Sequence, residues 1–179
     1  HLSENVVLNI KNKSHAVTAE ITVPAARAEG VIVAQGGNIG GWSLYAKNGK
    51  LKYCYNYLGI HYFYAESDNA LTPGDHQVRM EFTYAGGGLG KGGDVALFVD
   101  GKPAGAGKVA ATAAMVFSAD DGCDVGKDGG SAVSPDYGHH GNAFNGTVRG
   151  VELAIAKGAE SLDHLVKPED ALRIAMSVQ

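Results

Sequence analysis

The chain has 179 residues, 45% of them hydrophobic and 19% charged, with 26 glycines and a formal net charge of −4. That length suits one well-buried domain, and so many glycines ask for turns rather than long helices. The acidic balance and scattered lysines exclude the basic footprint of a nucleic-acid or anionic-membrane binder, and no apolar run approaches the roughly 20 residues that cross a bilayer.

Taken in chain order, residues 16–23 alternate cleanly, with Val17, Ala19, Ile21 and Val23 on one face and Thr18, Glu20 and Thr22 on the other. Pro24 ends what reads as a half-buried strand. Residues 30–57 read as strand, glycine hinge, strand, tight turn, strand. Asn48-Gly49 predicts a type I′ hairpin, because that turn needs positive φ at both central residues. The two-residue loop sets the register, pairing Ala46 with Leu51, Leu44 with Tyr53 and Trp42 with Tyr55 on one face. The opposite, outward face then carries Ser43, Tyr45, Lys52 and Asn56.

An aromatic strand follows over 59–65, and the Leu71-Thr72-Pro73-Gly74 turn leads into a strand over 76–84. Residues 95–99 run into an Asp100-Gly101 hairpin turn, the chain resumes at Lys102, and strands over 115–118 and 144–155 complete the set. Many short strands without alternating helices predict an all-β fold, a two-sheet antiparallel jelly-roll sandwich. The period changes over 160–178, where Leu162, Leu165, Ala171, Leu172, Ala175 and Met176 fall at helical spacing behind Pro168-Glu169-Asp170. The expected organisation is a sandwich over 1–158 and a short C-terminal helical tail over 159–179, packed on the sandwich or on a partner domain. Cys54 and Cys123 read as free structural thiols, since one pair specifies no framework.

The segments ENVVLNIKNKSHAVTAEITVP, GVIVAQGGNIGGWSLY, GGGLGKGGDVALFVDGKP, DVGKDGGSAVSPDY and PEDALRIAMSVQ together resemble the C-terminal region of bacterial arylsulfatases of the alkaline-phosphatase-like superfamily. The resemblance covers nearly the whole chain. It implies a non-catalytic, concanavalin A-like or laminin G-like sandwich whose partner is a sulfatase catalytic domain upstream in a parent chain. A periplasmic or secreted location is implied in the same way, and the start at His1 fits a removed leader or a piece of something longer. The family's nucleophile sits in a C/S-x-P-x-R motif. Here Cys54 is followed by Tyr55 and Asn56, and Cys123 by Asp124 and Val125, so no catalytic residue carries over.

The remaining candidates are weighed on their own chemistry. Asp120, Asp124 and Asp128 lie among glycines and could supply oxygen ligands to calcium, although Asp121-Gly122 and Asp128-Gly129 are equally good turn signals. The run AGGGLGKGGD over 85–94 fails as a phosphate loop, having Ala85 and Gly92 where Gly and Ser or Thr are needed. Glu66-Ser67-Asp68 lacks the third acid of a sandwich-fold glycosidase, with Leu71 in its place. His139 and His140 are adjacent, and so point apart on an extended chain. An aromatic and polar sheet face can stack on sugar rings, which makes Tyr45, Lys52, Asn56, Tyr62 and Tyr64 the candidate glycan contacts.

Three readings follow. The main one is an accessory domain that packs on or borders a sulfatase catalytic domain, or mediates oligomer contacts. The alternative is a lectin-like, calcium-dependent or calcium-independent carbohydrate-binding module. A free-standing hydrolase is the third, for which no catalytic set is visible.

Overall fold

The computed structural model describes residues 9–114, 117, 122–156 and the backbone of 174–176. Within them the chain is all β: β1 (His15–Val23), β2 (Gly30–Gly37), β3 (Gly40–Lys47), β4 (Lys50–Tyr57), β5 (His61–Ala70), β6 (Gly74–Tyr84), β7 (Lys91–Val99), β8 (Lys102–Ala111), β9 (Cys123–Val125), β10 (Thr147–Ile155) and β11 (Ile174–Met176). The strands are hydrogen-bonded in the order β11-β10-β1-β6-β7-β8-β5-β4-β3-β2-β9, and every pairing is antiparallel.

A narrow seam joins the two halves of this order, with only Ala65, Glu66 and Ser67 of β5 facing Gly107, Ala106 and Gly105 of β8. At that seam the strands come so close that a Cβ on Gly105 would lie 2.1 Å from the Glu66 carbonyl oxygen. Glycine is therefore the residue that lets the sheet continue round the corner. One hydrophobic core fills the space enclosed, taking Val17, Ile21, Met80 and Leu97 from one half and Trp42, Leu44, Leu51 and Tyr53 from the other.

The hairpin forms in the expected register, Trp42 opposite Tyr55, Leu44 opposite Tyr53 and Ala46 opposite Leu51. Asn48 and Gly49 have φ of 53° and 84°, the type I′ signature. Asp100 and Gly101 repeat it at 52° and 75°. A third turn was not anticipated: Leu58 and Gly59 also take positive φ, 56° and 67°, so β5 starts at His61 rather than at 59. A leucine is strained there. The Asn56 side chain offsets that strain by accepting a hydrogen bond from the Gly59 amide at 2.8 Å. In β10, Arg149 bulges out between the partners of Glu20 and Ile21, and Gly150 sits beside the irregularity.

Two expected elements need correction. Of the strand over 115–118 only Phe117 is described, and it lies outside any strand as a buried core ring, edge-on to Tyr55 with centroids 6.0 Å apart. The helix over 160–178 falls mostly outside the described residues, as does the 158/159 boundary. The part that is described, Ile174–Met176, is a strand paired with Val151, Glu152 and Leu153 of β10. A sheet edge offers unpaired backbone groups to an apolar segment, and that long-range pairing overrides a local helical period.

A candidate groove beside the 126–146 loop

A second, smaller cluster on the outer side of β2, β3 and β4 joins Val31, Ala34, Tyr45, Cys54 and Val133, with Tyr62 and Tyr137 packed against it. Val133 and Tyr137 belong to the connection between β9 and β10, which lies over the hairpin. Its aspartates shape it. Asp124 accepts a hydrogen bond from the Gly129 amide at 2.8 Å, and Asp128 accepts from the Val133 amide at 2.9 Å and from the Tyr137 hydroxyl at 2.8 Å. Asn142 ties the two ends of the loop together, its amide nitrogen donating to the carbonyls of Asp128 and Gly138, each at 2.9 Å. The Val31 amide then donates to the Asn142 carbonyl at 2.8 Å, fastening the loop to β2.

This covering loop corrects the expectation of an open outer face. Tyr45 is 1% exposed, while Ser43 and Asn56 are fully buried. Asn56 spends its amide nitrogen on the carbonyls of Gly37, Asn38 and Val133 at 3.0–3.1 Å, so it holds the loop down and has nothing left for a ligand. Lys52 and Tyr62 are half-buried and Tyr64 is exposed. These three stay at the surface.

Beside the loop runs a groove of about 260 Å³. It is lined by Glu29 just before β2, by Tyr45 and Lys47 of β3, and by Asp136, Tyr137, Gly138 and Gly141 from the covering loop. Asp136 is its hub. Tyr45 donates its hydroxyl to Asp136 Oδ2 at 2.6 Å, and Lys52 Nζ meets the same oxygen at 2.6 Å. Lys52 also sits 4.6 Å above the Tyr64 ring, a cation–π contact that keeps its stem in place. No hydrogen bond among the described residues reaches Asp136 Oδ1. Glu29 pairs Oε1 with Lys47 Nζ at 3.1 Å and accepts the Asn48 amide on Oε2 at 2.8 Å.

Partial burial of Asp136 works against its ionisation, but the hydrogen bonds from Lys52 and Tyr45 outweigh it and hold the carboxyl below its ordinary range. Burial, reinforced by Asp136, drives the Tyr45 phenol far up, so it stays a proton donor. Burial also pushes the Cys54 thiol up to about 12. A neutral thiol in that setting is a packing group, not a nucleophile.

Elsewhere the chemistry resolves into structure. Asp120 lies outside the described residues, and Asp124 and Asp128 spend a carboxylate oxygen on backbone amides. Among the described residues no three His, Cys, Asp or Glu side chains converge as a metal cage. His139 accepts the Ala132 amide on Nδ1 at 2.9 Å. Glu66 pairs with Lys50 at 3.2 Å, and the Ser67 hydroxyl caps the Leu51 amide at 3.0 Å.

One constellation went unseen in the sequence because its members lie on separate turns. His76 has Nδ1 2.6 Å from Asp100 Oδ2, with Nε2 3.0 Å from the Thr72 hydroxyl and 2.7 Å from the Thr72 carbonyl. The outline is that of a hydrolase triad. Nε2, however, lies closer to the Thr72 carbonyl than to the hydroxyl, so the ring bridges Asp100 to the Thr72 backbone. This histidine clamps two turns together.

No family model matches the chain, and no curated protein does. Among solved structures, one similar in fold is the CBM40 of a Ruminococcus gnavus IT-sialidase bound to α2,3-sialyllactose, at 12% identity and a TM-score of 0.51, covering 89% of this chain and 80% of that one. Domains LG4-5 of the mouse laminin α1 chain match at 15% identity and a TM-score of 0.49, over 86% of this chain and 38% of that one. A heptameric SAP-like pentraxin from Limulus polyphemus matches at 15% identity and a TM-score of 0.47, over 79% of this chain, which spans 63% of the pentraxin's length. At 12% identity the likeness to the CBM40 is one of fold. None of the three is named as part of a sulfatase.

Proposed function

We propose that the chain is a lectin-like, non-catalytic carbohydrate-binding module of the jelly-roll sandwich kind, with the groove at Asp136 as its sugar site. The observation that carries this reading is the carboxylate itself. One oxygen of Asp136 is held by Tyr45 and Lys52 while the other carries no protein partner among the described residues. An acceptor fixed by its own neighbours and left half free is what a sugar hydroxyl needs. The Tyr64 ring, braced by Lys52 and flanked by Tyr62, supplies an apolar face next to it. Drug-sized pockets run to roughly 300–1,000 Å³, so a groove near 260 Å³ suits one ring or the end of a chain. The likeness in fold to a carbohydrate-binding module described with a bound oligosaccharide supports the same reading. A glycan array tests it: the wild-type chain binds, and Asp136→Ala and Tyr64→Ala lose the signal. A blank array with the wild-type chain overturns it.

One observation favours the second reading, an accessory domain packed on a sulfatase catalytic domain in a periplasmic or secreted parent protein. Ile39, Leu58 and Ile60 are 57%, 47% and 68% exposed. They lie on two neighbouring turns, since a Cβ on Gly59 would fall 2.7 Å from the Asn38 carbonyl oxygen. Adjacent exposed aliphatics suit burial against another domain. Pull-down with a sulfatase catalytic domain, lost on Ile39→Ser with Ile60→Ser, supports this reading, and no association overturns it.

A further inference from the structure

We infer that the groove selects an uncharged sugar, presented by its hydroxyls, and rejects sialylated and sulfated glycans. The inference rests on the sugar-binding reading above and names its ligand class. Two ion pairs stand at the groove, Lys47 with Glu29 at 3.1 Å and Lys52 with Asp136 at 2.6 Å. Each cation already faces a carboxylate. A ligand sulfate or carboxylate would therefore find both of these lysines committed, and it would approach an Asp136 oxygen that carries no bond among the described residues. Two anions cannot share that site without a proton or a cation between them. A hydroxyl meets no such obstacle: it donates to Asp136 and leaves both ion pairs intact.

The glycines point the same way. Gly138 and Gly141 line the loop side with no side chain, which gives room for a ring but brings no arginine fork of the kind that recognises carboxylates and sulfates. The whole chain carries a net charge of −4, so long-range steering does not favour an anion either.

The test uses the full chain and three forms of one oligosaccharide: neutral, sialylated and sulfated. Binding to the neutral form that stays constant from low to high salt, with the two acidic forms weaker by about tenfold or more, is the expected result. Asp136→Asn turns part of the acceptor into a donor. It should weaken the neutral form by about tenfold, the worth of one charge-assisted hydrogen bond, and narrow the gap to the acidic forms. A purely structural Asp136 would instead lower Tm and weaken all three forms equally, which overturns the assignment. Tighter, salt-sensitive binding of an acidic form overturns the inference while leaving the sugar-binding reading in place. Failure of all three forms to bind, with a blank array, overturns that reading as well.

Discussion

The two faces of the β3–β4 hairpin are both buried, yet they are built on opposite principles. On the inner face Trp42, Leu44, Leu51 and Tyr53 are at most 1% exposed and pack as rings and methyls. On the outer face Ser43, Tyr45 and Asn56 are equally buried but polar, and each bond that Tyr45 and the Asn56 amide nitrogen make reaches a residue far along the chain. Burial of the inner face follows from removing apolar surface from water, which is non-directional and tolerates neighbours of many shapes. At Tyr45 and Asn56 burial of the outer face rests on particular donors meeting particular acceptors, because an unpaired polar group in that position is costly; Ser43 Oγ and, on the inner face, the Tyr53 hydroxyl are buried without a hydrogen-bond partner. The inner face holds the fold together, and the outer face holds the groove.

Four measurements would break or sharpen this contrast. The largest effect is expected on the inner face, where Trp42→Ala should cost about 3–5 kcal/mol in denaturant unfolding, as large-to-small core changes do. Next comes acid. His15 is buried against Phe82 with ring centroids 5.2 Å apart, and burial lowers its pKa from 6.5 to about 4. The folded state resists the proton that the unfolded state accepts below pH 6.5. Stability is therefore complete above that value and declines as pH falls toward 4, by about 3 kcal/mol in total. His15→Gln should flatten this part of a Tm-against-pH curve.

On the outer face Tyr45→Phe removes a donor to a carboxylate and should cost about 1.5–3 kcal/mol. It should also weaken sugar binding, because Asp136 is then held by Lys52 alone. The smallest effect is the titration of Asp136. Its pKa is depressed, so its contribution is present above the ordinary carboxylate range near 3.9 and is lost only as pH falls through the lower folded value. The β1–β6 site at His15, outside the hairpin, and the groove thus separate along the pH axis: the His15 site weakens first, and the groove loses its carboxylate last. An acid titration of sugar binding that failed well above pH 5 would contradict this order.

The inner face was legible before any coordinates because its cause is local. Alternation around Asn48-Gly49 sets both the register and the buried set, and the observed pairs of Trp42 with Tyr55 and Leu44 with Tyr53 follow from counting outward from the turn. The outer face was misread for the same reason. Alternation says that Tyr45 and Asn56 point away from the core, and it cannot say that residues near 133–137 lie on top of them. The acidic loop was half legible: Asp124 and Asp128 do hold backbone amides, but those amides lie five residues on, outside the usual turn spacing, and Gly129 takes no positive φ. The Leu58-Gly59 turn was hidden because leucine is a poor signal for positive φ, and only Asn56 three residues earlier makes it tenable.

By itself, the sequence determined the strands whose periodicity is strong, the hairpin register, the antiparallel all-β class and the absence of a sulfatase nucleophile motif in this chain. The tertiary structure alone decided that the hairpin's polar face is covered, that Tyr45 and Lys52 converge on Asp136, and that 174–176 pairs with β10 as a strand. The division has a physical cause. Periodicity and turn chemistry act between residues a few positions apart, whereas Tyr45 and Asp136 are separated by 91 positions, and only the closed sheet brings them within a hydrogen bond.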